Sequence, residues 1–178
     1  MSIYVNPLYI NSLFQNKLMI LNNKEILEKI SIMLKEKGQK IAIAESCTGG
    51  LISHSFTNIS GSSEYFDRGI VSYSNKAKTE LLDVSLNILN KYGAVSEQVA
   101  KAMAEGVRKK SKVDIGIATT GIAGPTGGTK DKQVGLVFIS ISTINNTIVK
   151  RFQFSGNRLK NKESTCKAAL EMLFNLIS

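Results

Sequence analysis

The sequence predicts an α/β domain in which helices cover both faces of a mixed, mostly parallel central sheet. Three observations lead there. Helix-type and strand-type hydrophobic periods alternate from residue 24 onward, two of the apolar runs end in polar glycine-containing turns, and two late alternating runs form a hairpin. Short apolar strands between helices are the pattern of a sheet buried on both sides, and the hairpin adds an antiparallel portion to a parallel centre.

The elements follow in chain order. Ile26, Leu27, Ile30, Met33 and Leu34 mark one face of an amphipathic helix, with Asn23 as candidate N-cap and Gly38 as its stop. Lys40 to Glu45 is a short strand that ends in Ser46-Cys47-Thr48-Gly49-Gly50, and a second helical pattern runs from Leu51 to Phe56. After a loop of Ser60, Gly61, Ser62 and Ser63, Phe66 to Tyr73 reads as a strand, then Lys76 to Leu82 and Leu86 to Tyr92 as helices ended by Gly93. Ser96 caps a longer helix with Val99, Met103 and Val107 on one face. Val113 to Thr120 is a buried strand, and Val134 to Ser142 and Thr147 to Phe154 pair through a turn at Thr143 to Asn146. Cys166, Ala169, Leu170, Leu173, Phe174 and Ile177 form the inner stripe of a final helix, for which Asn161 is a candidate cap.

Composition narrows the function classes. With 178 residues, 43% hydrophobic and 21% charged, the chain suits one packed domain rather than a disordered or collagenous one. Two cysteines and one histidine supply neither a disulfide framework nor a transition-metal site, so no metal and no cofactor are expected. No run approaches the ~18 apolar residues of a membrane helix. Residues 1–22 carry Pro7, Asn11 and Lys17 and lack a basic leader or a small-residue cleavage site, so a cytoplasmic protein is expected, with residues 1–22 an N-terminal extension and residues 23–178 the domain. The net charge of +9 is spread along the chain without interleaved aromatics, which is a solvated basic surface and not a nucleic-acid groove.

Ligands of such sheets sit beyond the carboxyl ends of strands, so the loops after Glu45 and after Thr120 are candidate walls of one site. The first, Glu45 to Gly50, gathers hydroxyls, a thiol and paired glycines before a helix, an arrangement that exposes a nucleophile beside backbone N–H groups or simply caps the helix. The second, Thr119 to Thr129, packs four glycines among hydroxyls and lets backbone approach an anion closely, yet it matches neither a Walker A loop nor a dinucleotide fingerprint. A serine nucleophile needs a base. With a single histidine in the chain, a lysine is the natural candidate, and Lys78 lies five residues after Tyr73 across a strand-to-helix corner. Cys47 is the alternative nucleophile.

The blocks AESCTGG (Ala44 to Gly50), RGIVSYSNKAK (Arg68 to Lys78), GAVS (Gly93 to Ser96), TTGIAGPTGG (Thr119 to Gly128), QVG (Gln133 to Gly135) and FSGNR (Phe154 to Arg158) resemble, in order and spacing, the CinA C-terminal domain family of nicotinamide-nucleotide amidohydrolases. The resemblance implies a three-layer α/β/α domain, in a stand-alone form, that converts nicotinamide mononucleotide to nicotinate mononucleotide and ammonia in pyridine nucleotide salvage. It implies Ser46, Tyr73 and Lys78 as the catalytic group, with Tyr73 an orienter or relay beside the lysine. Thr120, Gly121, Ala123, Gly124 and Arg158 fall on nucleotide-binding positions, and the backbone of Cys47, Thr48, Gly49 and Gly50 is the expected oxyanion hole. Gln133 stands where the family commonly has proline. The expected partner is therefore a small-molecule nucleotide, with a homo-oligomer left open and neither membrane nor nucleic acid involved; a non-catalytic role in competence or DNA repair is the competing reading.

Overall fold

A computed structural model describes residues 22–178. Helix α1 (Asn23–Glu36) leads into strand β1 (Ile41–Glu45), helix α2 (Leu51–Thr57), a single 3-10 turn (Ser62–Glu64) and strand β2 (Phe66–Val71). Helices α3 (Asn75–Leu82), α4 (Leu86–Tyr92) and α5 (Glu97–Ser111) follow, then β3 (Ile115–Gly121), β4 (Leu136–Ser142), β5 (Thr147–Gln153) and the long α6 (Arg158–Ile177). Among the described residues no helix is long and apolar enough to cross a membrane.

The sheet runs β2-β1-β3-β4-β5. β1 pairs in parallel with β2 on one side and β3 on the other, so Glu45 lies level with both Val71 and Thr119, while β3–β4 and β4–β5 are antiparallel. The chain thus leaves β1 first toward one edge and later returns on the opposite side. That reversal opens a crevice at the carboxyl end of β1.

Alternation along β1 sets the two cores. Ile41 and Ile43 face the layer of α1, α2 and α6 with Ile30, Leu34, Phe56, Leu170 and Leu173, and Ala42 and Ala44 face α3, α4 and α5 with Leu82, Met103 and Val107. The second face is nearly bare. Ala42 pairs with Gly116 and Ala44 with Ala118, and a Cβ on Gly116 would sit 2.2 Å from the Ala104 carbonyl, so α5 rests directly on the strand backbones. Each large side chain buried between these layers contributes about 1.5–3 kcal/mol.

Two caps differ from the sequence expectation. Asn22, not Asn23, starts α1, because its side chain accepts from the Lys24 and Glu25 amides at 3.0 Å while Glu25 Oε2 accepts from the Asn22 amide at 3.0 Å, a closed capping box. Asn22 is the one residue of the expected extension 1–22 that the structure describes, and residues 1–21 lie outside the described residues. Asn157, not Asn161, caps α6 by accepting from the Lys160 amide at 2.9 Å, which leaves Asn161 buried in the first turn and available to the site. The outer residues Lys40, Val113, Thr120, Val134 and Phe154 mark differences of one to two residues at strand ends, and Ser72 and Tyr73 lie past β2 in irregular chain.

Gly135 joins the loop after β3 to the hairpin: its amide donates to the Ile122 carbonyl at 2.7 Å and its carbonyl accepts from the Phe154 amide at 2.9 Å. Its φ is 89°, and a Cβ would lie 1.8 Å from the Phe154 carbonyl oxygen, whereas Gly38, with φ 60°, has open space around it. Gly38→Ala should therefore cost only the left-handed penalty of about 1–2 kcal/mol, and Gly135→Ala about 3 kcal/mol or more because overpacking adds to it. Urea unfolding of the two variants checks this; equal losses would contradict the contact geometry.

Candidate active site

Ser46 is the first residue beyond β1. Its amide donates to the Thr119 carbonyl at 3.0 Å, and the Ser72 amide donates to the Glu45 carbonyl at 2.8 Å, so the strand end is pinned to both neighbours. Lys78 reaches it from α3. That helix starts at Ser74, whose Oγ accepts from the Ala77 amide at 3.0 Å, and Lys78, one turn in, points back beneath the sheet edge with only 1% of its surface exposed. Its Nζ donates to Ser46 Oγ at 3.0 Å, to the Ser72 carbonyl at 2.9 Å and to the Tyr73 carbonyl at 3.1 Å.

Burial lowers the Lys78 ammonium below the ordinary value of 10.5, against the pull of any negative charge on Cys47. Such charge is absent at ordinary pH. Burial pushes the Cys47 thiol up to about 12; its own backbone amide opposes this and the Glu45 charge adds to it. A neutral lysine fits its three partners without rearrangement, since two N–H groups remain on the Ser72 and Tyr73 carbonyls and the lone pair turns to the Ser46 hydroxyl. The geometry can deprotonate a serine.

The turn after Ser46 is closed by Glu45, a fully buried side chain. Its Oε2 accepts from the amides of Gly50 at 3.0 Å and Ile52 at 3.1 Å, and its Oε1 from the amide and Oγ of Ser53 at 2.8 Å and 2.7 Å. Gly50, expected to supply an oxyanion-hole donor, has thus committed its N–H to Glu45, and the uncommitted part of the turn is Cys47, Thr48 and Gly49. Thr48 is wholly buried, its hydroxyl 2.8 Å from Thr119 Oγ1, and serves to tie the turn to β3. Gly49 and Gly50 take φ values of 63° and 97°, which glycine alone adopts without strain.

Ser46, Cys47, Tyr73, Lys78, Thr120, Gly121, Ala123 and Arg158 line one cavity of about 190 Å³, walled on the far side by Ala94 and Val95. Thr120 holds that wall by donating its hydroxyl to the Ala94 carbonyl at 2.7 Å. Asn161 donates to the Ala123 carbonyl at 3.0 Å and accepts from the Gly156 amide at 2.9 Å, which joins the loop after β3 to the start of α6. Arg158 donates from Nη1 to the Gly124 carbonyl at 2.9 Å and from Nη2 to the Tyr73 hydroxyl at 3.1 Å. The Tyr73 phenol, 60% exposed, therefore stands on Arg158, and it is the backbone carbonyl of Tyr73 that meets Lys78. A relay through the phenol finds no contact here. Arg158 and Ala123 also border a second, mainly apolar cavity of about 480 Å³ lined by Gly124, Pro125, Val134 and Leu159, so Arg158 divides the reactive pocket from an outer one.

The structure brings Ser46, Lys78, Thr120 and Arg158 to one cavity and adds to it Glu45, Ser72, Asn161 and the Ala94–Val95 wall, for which the sequence suggests no role in the site. A carboxylate closing an otherwise apolar strand, IAIAE, was the available signal for Glu45. Ser72 acts through its carbonyl, which no side-chain pattern reveals.

Fold and site together define a three-layer α/β/α domain with a buried serine–lysine pair at the carboxyl end of its central parallel strand. The family model of the CinA C-terminal domain matches residues 23–177, and the chain belongs to that family. It is 52% identical over 145 residues to a CinA-like protein of Syntrophus aciditrophicus, covering 81% of this chain and 34% of the relative. It is 47% identical over 152 residues to a CinA-like protein of Syntrophomonas wolfei, covering 85% of this chain and 36% of the relative, so it spans only about a third of those proteins. Among solved structures, the competence/damage inducible protein CihA of Agrobacterium tumefaciens aligns with a TM-score of 0.86 and 36% identity over 100% of both chains. A competence or damage-inducible protein of Enterobacter asburiae aligns at 0.86 and 32% identity, covering 89% of this chain and 99% of that one.

Both cysteines are buried and free, and burial raises the pKa of each. In the native protein at pH 8 neither Cys47 nor Cys166 should react with a chromogenic disulfide, and both should do so on unfolding. Rapid labelling of Cys47 in folded protein would contradict the site's electrostatics.

Proposed function

We propose that this chain is an amidohydrolase that cleaves the carboxamide of nicotinamide mononucleotide, giving nicotinate mononucleotide and ammonia, with Ser46 as nucleophile. One observation carries the reading: the Nζ of a buried, pKa-lowered lysine lies 3.0 Å from Ser46 Oγ. Ser46 Oγ attacks the carboxamide carbon as Lys78 takes the hydroxyl proton, forming a tetrahedral intermediate with an oxyanion. The backbone of Cys47, Thr48 and Gly49 supplies the donors for that charge. Lys78 then returns the proton to the departing nitrogen and ammonia leaves; Lys78 next takes a proton from a water that attacks the acyl carbon and passes it to Ser46 Oγ as the acyl–oxygen bond breaks, which frees the acid and restores the neutral amine. Cys47, a thiol up to about pH 12, does not compete as nucleophile.

Ammonia release from nicotinamide mononucleotide tests the activity, and Ser46→Ala should lower kcat by about 1000-fold or more while unfolding within about 1–2 kcal/mol of wild type. Retained turnover in that variant would end the serine reading.

Lys78 acts as a base only when neutral, so kcat should rise with pH through its midpoint, which lies below the ordinary lysine value of 10.5. Lys78→Met should lose about 100-fold or more in kcat and abolish the ascending limb. Tyr73→Phe keeps the carbonyl under Lys78 and removes the hydroxyl from Arg158, so KM should rise with kcat little changed. An unchanged pH profile in Lys78→Met would remove the lysine from the mechanism.

Arg158 spends two of its guanidinium donors on Gly124 and Tyr73 and retains others for a phosphate held at the divide between the two cavities. Wild type should prefer nicotinamide mononucleotide strongly over nicotinamide riboside, and Arg158→Ala should erase most of the preference by weakening only the former. Undiminished discrimination in the variant would move phosphate recognition to other residues.

A further inference from the structure

We infer that Glu45 is the positioning residue of the nucleophile: its buried carboxylate takes the place of a bound anion at the start of α2 and fixes where Ser46 Oγ stands against Lys78. The inference rests on Ser46 being the nucleophile and is independent of which amide is hydrolysed. The backbone on either side of the Glu45–Ser46 peptide is already tied to β2 and β3, through the Ser72 amide and the Thr119 carbonyl. The turn from Ser46 to Gly49 is tied to β3 at its middle through the Thr48 hydroxyl, and the Glu45 side chain closes its far end by holding Gly50, Ile52 and Ser53 to its own two oxygens. A rigid turn keeps the hydroxyl in the 3.0 Å contact with Lys78 Nζ, the distance on which proton transfer depends.

The charge is what the arrangement selects. All four groups on the carboxylate are donors, two to each oxygen, so both oxygens must accept. A carboxylate with no exposed surface persists only where its acceptor sites are filled in this way. A glutamine of the same size would set its amino group against at least one backbone N–H, since the Ser53 hydroxyl can reverse and accept but the Ser53, Gly50 and Ile52 amides cannot, so at least one of these bonds breaks and the turn is pushed away. An independent feature on β2 serves the same contact: a Cβ on Gly69 would lie 2.1 Å from Ser53 Oγ, so the missing side chain at Gly69 is the space through which the Ser53 hydroxyl reaches Glu45.

The test reads the nucleophile directly with a fluorophosphonate probe. Ser46 Oγ bonds to phosphorus, the P–F bond breaks, fluoride leaves and Lys78 takes the hydroxyl proton; intact mass gives the rate and the site, and circular dichroism reports folding. E45Q should label at least about 10-fold more slowly than wild type, and with nicotinamide mononucleotide kcat should fall in parallel while KM stays within about twofold. S53A removes one of the four donors and leaves the charge in place, so it should slow labelling by about 2–5-fold, which keeps the test decisive should E45Q not fold. Wild type labelled at Ser46 without ammonia release overturns the substrate reading alone, and the labelling ratios still decide the role of Glu45. Folded E45Q or S53A that labels at the wild-type rate, or wild type that is not labelled at Ser46, overturns the inference.

Discussion

The site depends on an amine buried in the wall of its cavity and largely stripped of solvent. Lys78 is nearly as buried as any core residue, yet its Nζ has three oxygen partners at 2.9–3.1 Å, two of them carbonyls of the chain leaving β2 and the third the Ser46 hydroxyl. Desolvation favours the neutral amine, and the two carbonyls keep it oriented once neutral, so its lone pair has one direction left. A surface lysine would satisfy neither condition. The same burial raises the neighbouring Cys47 thiol, so one environment favours the neutral form of both the amine and the sulfur.

That contact needs residues from three parts of the chain, and the sheet topology delivers them. Parallel pairing of β1 with β2 and β3 puts Glu45, Val71 and Thr119 in one row, so the turns that follow open on the same side. Small residues on the α5 face let that layer approach closely, which brings α3 and Lys78 under the end of β1. On the other face α6 begins at the site and sends Arg158 and Asn161 to the loop after β3. Each layer contributes one wall.

Most of this architecture is legible in the sequence because it rests on local patterns. The alternation in IAIAE, the stripe over α6 and the cap at Ser96 each state their element without help from distant residues. The caps at Asn22 and Asn157 were displaced because adjacent or nearby asparagines compete, and only the partner, Glu25 in one case and the Lys160 amide in the other, decides between them. In the site, Ser46 and Lys78 could be singled out by type and spacing. The roles of Glu45, Ser72 and the Tyr73 carbonyl could not, since they depend on backbone groups meeting across strands. At Tyr73 a tyrosine near a lysine suggests phenol chemistry, and only the fold turns its hydroxyl to Arg158 and its carbonyl to Lys78.

Lys78 can take a proton from Ser46 only when its amine is neutral, and burial makes it so at a lower pH than other lysines. Nuclear magnetic resonance of protein carrying isotope-labelled lysine, followed through the Cε and Nζ signals across a pH titration and assigned with Lys78→Met, measures this directly. The Lys78 signals should titrate with a midpoint below 10.5, apart from the exposed lysines. A Lys78 midpoint at or above the ordinary lysine value would contradict this, because the amine facing Ser46 would then be a cation wherever other lysines are.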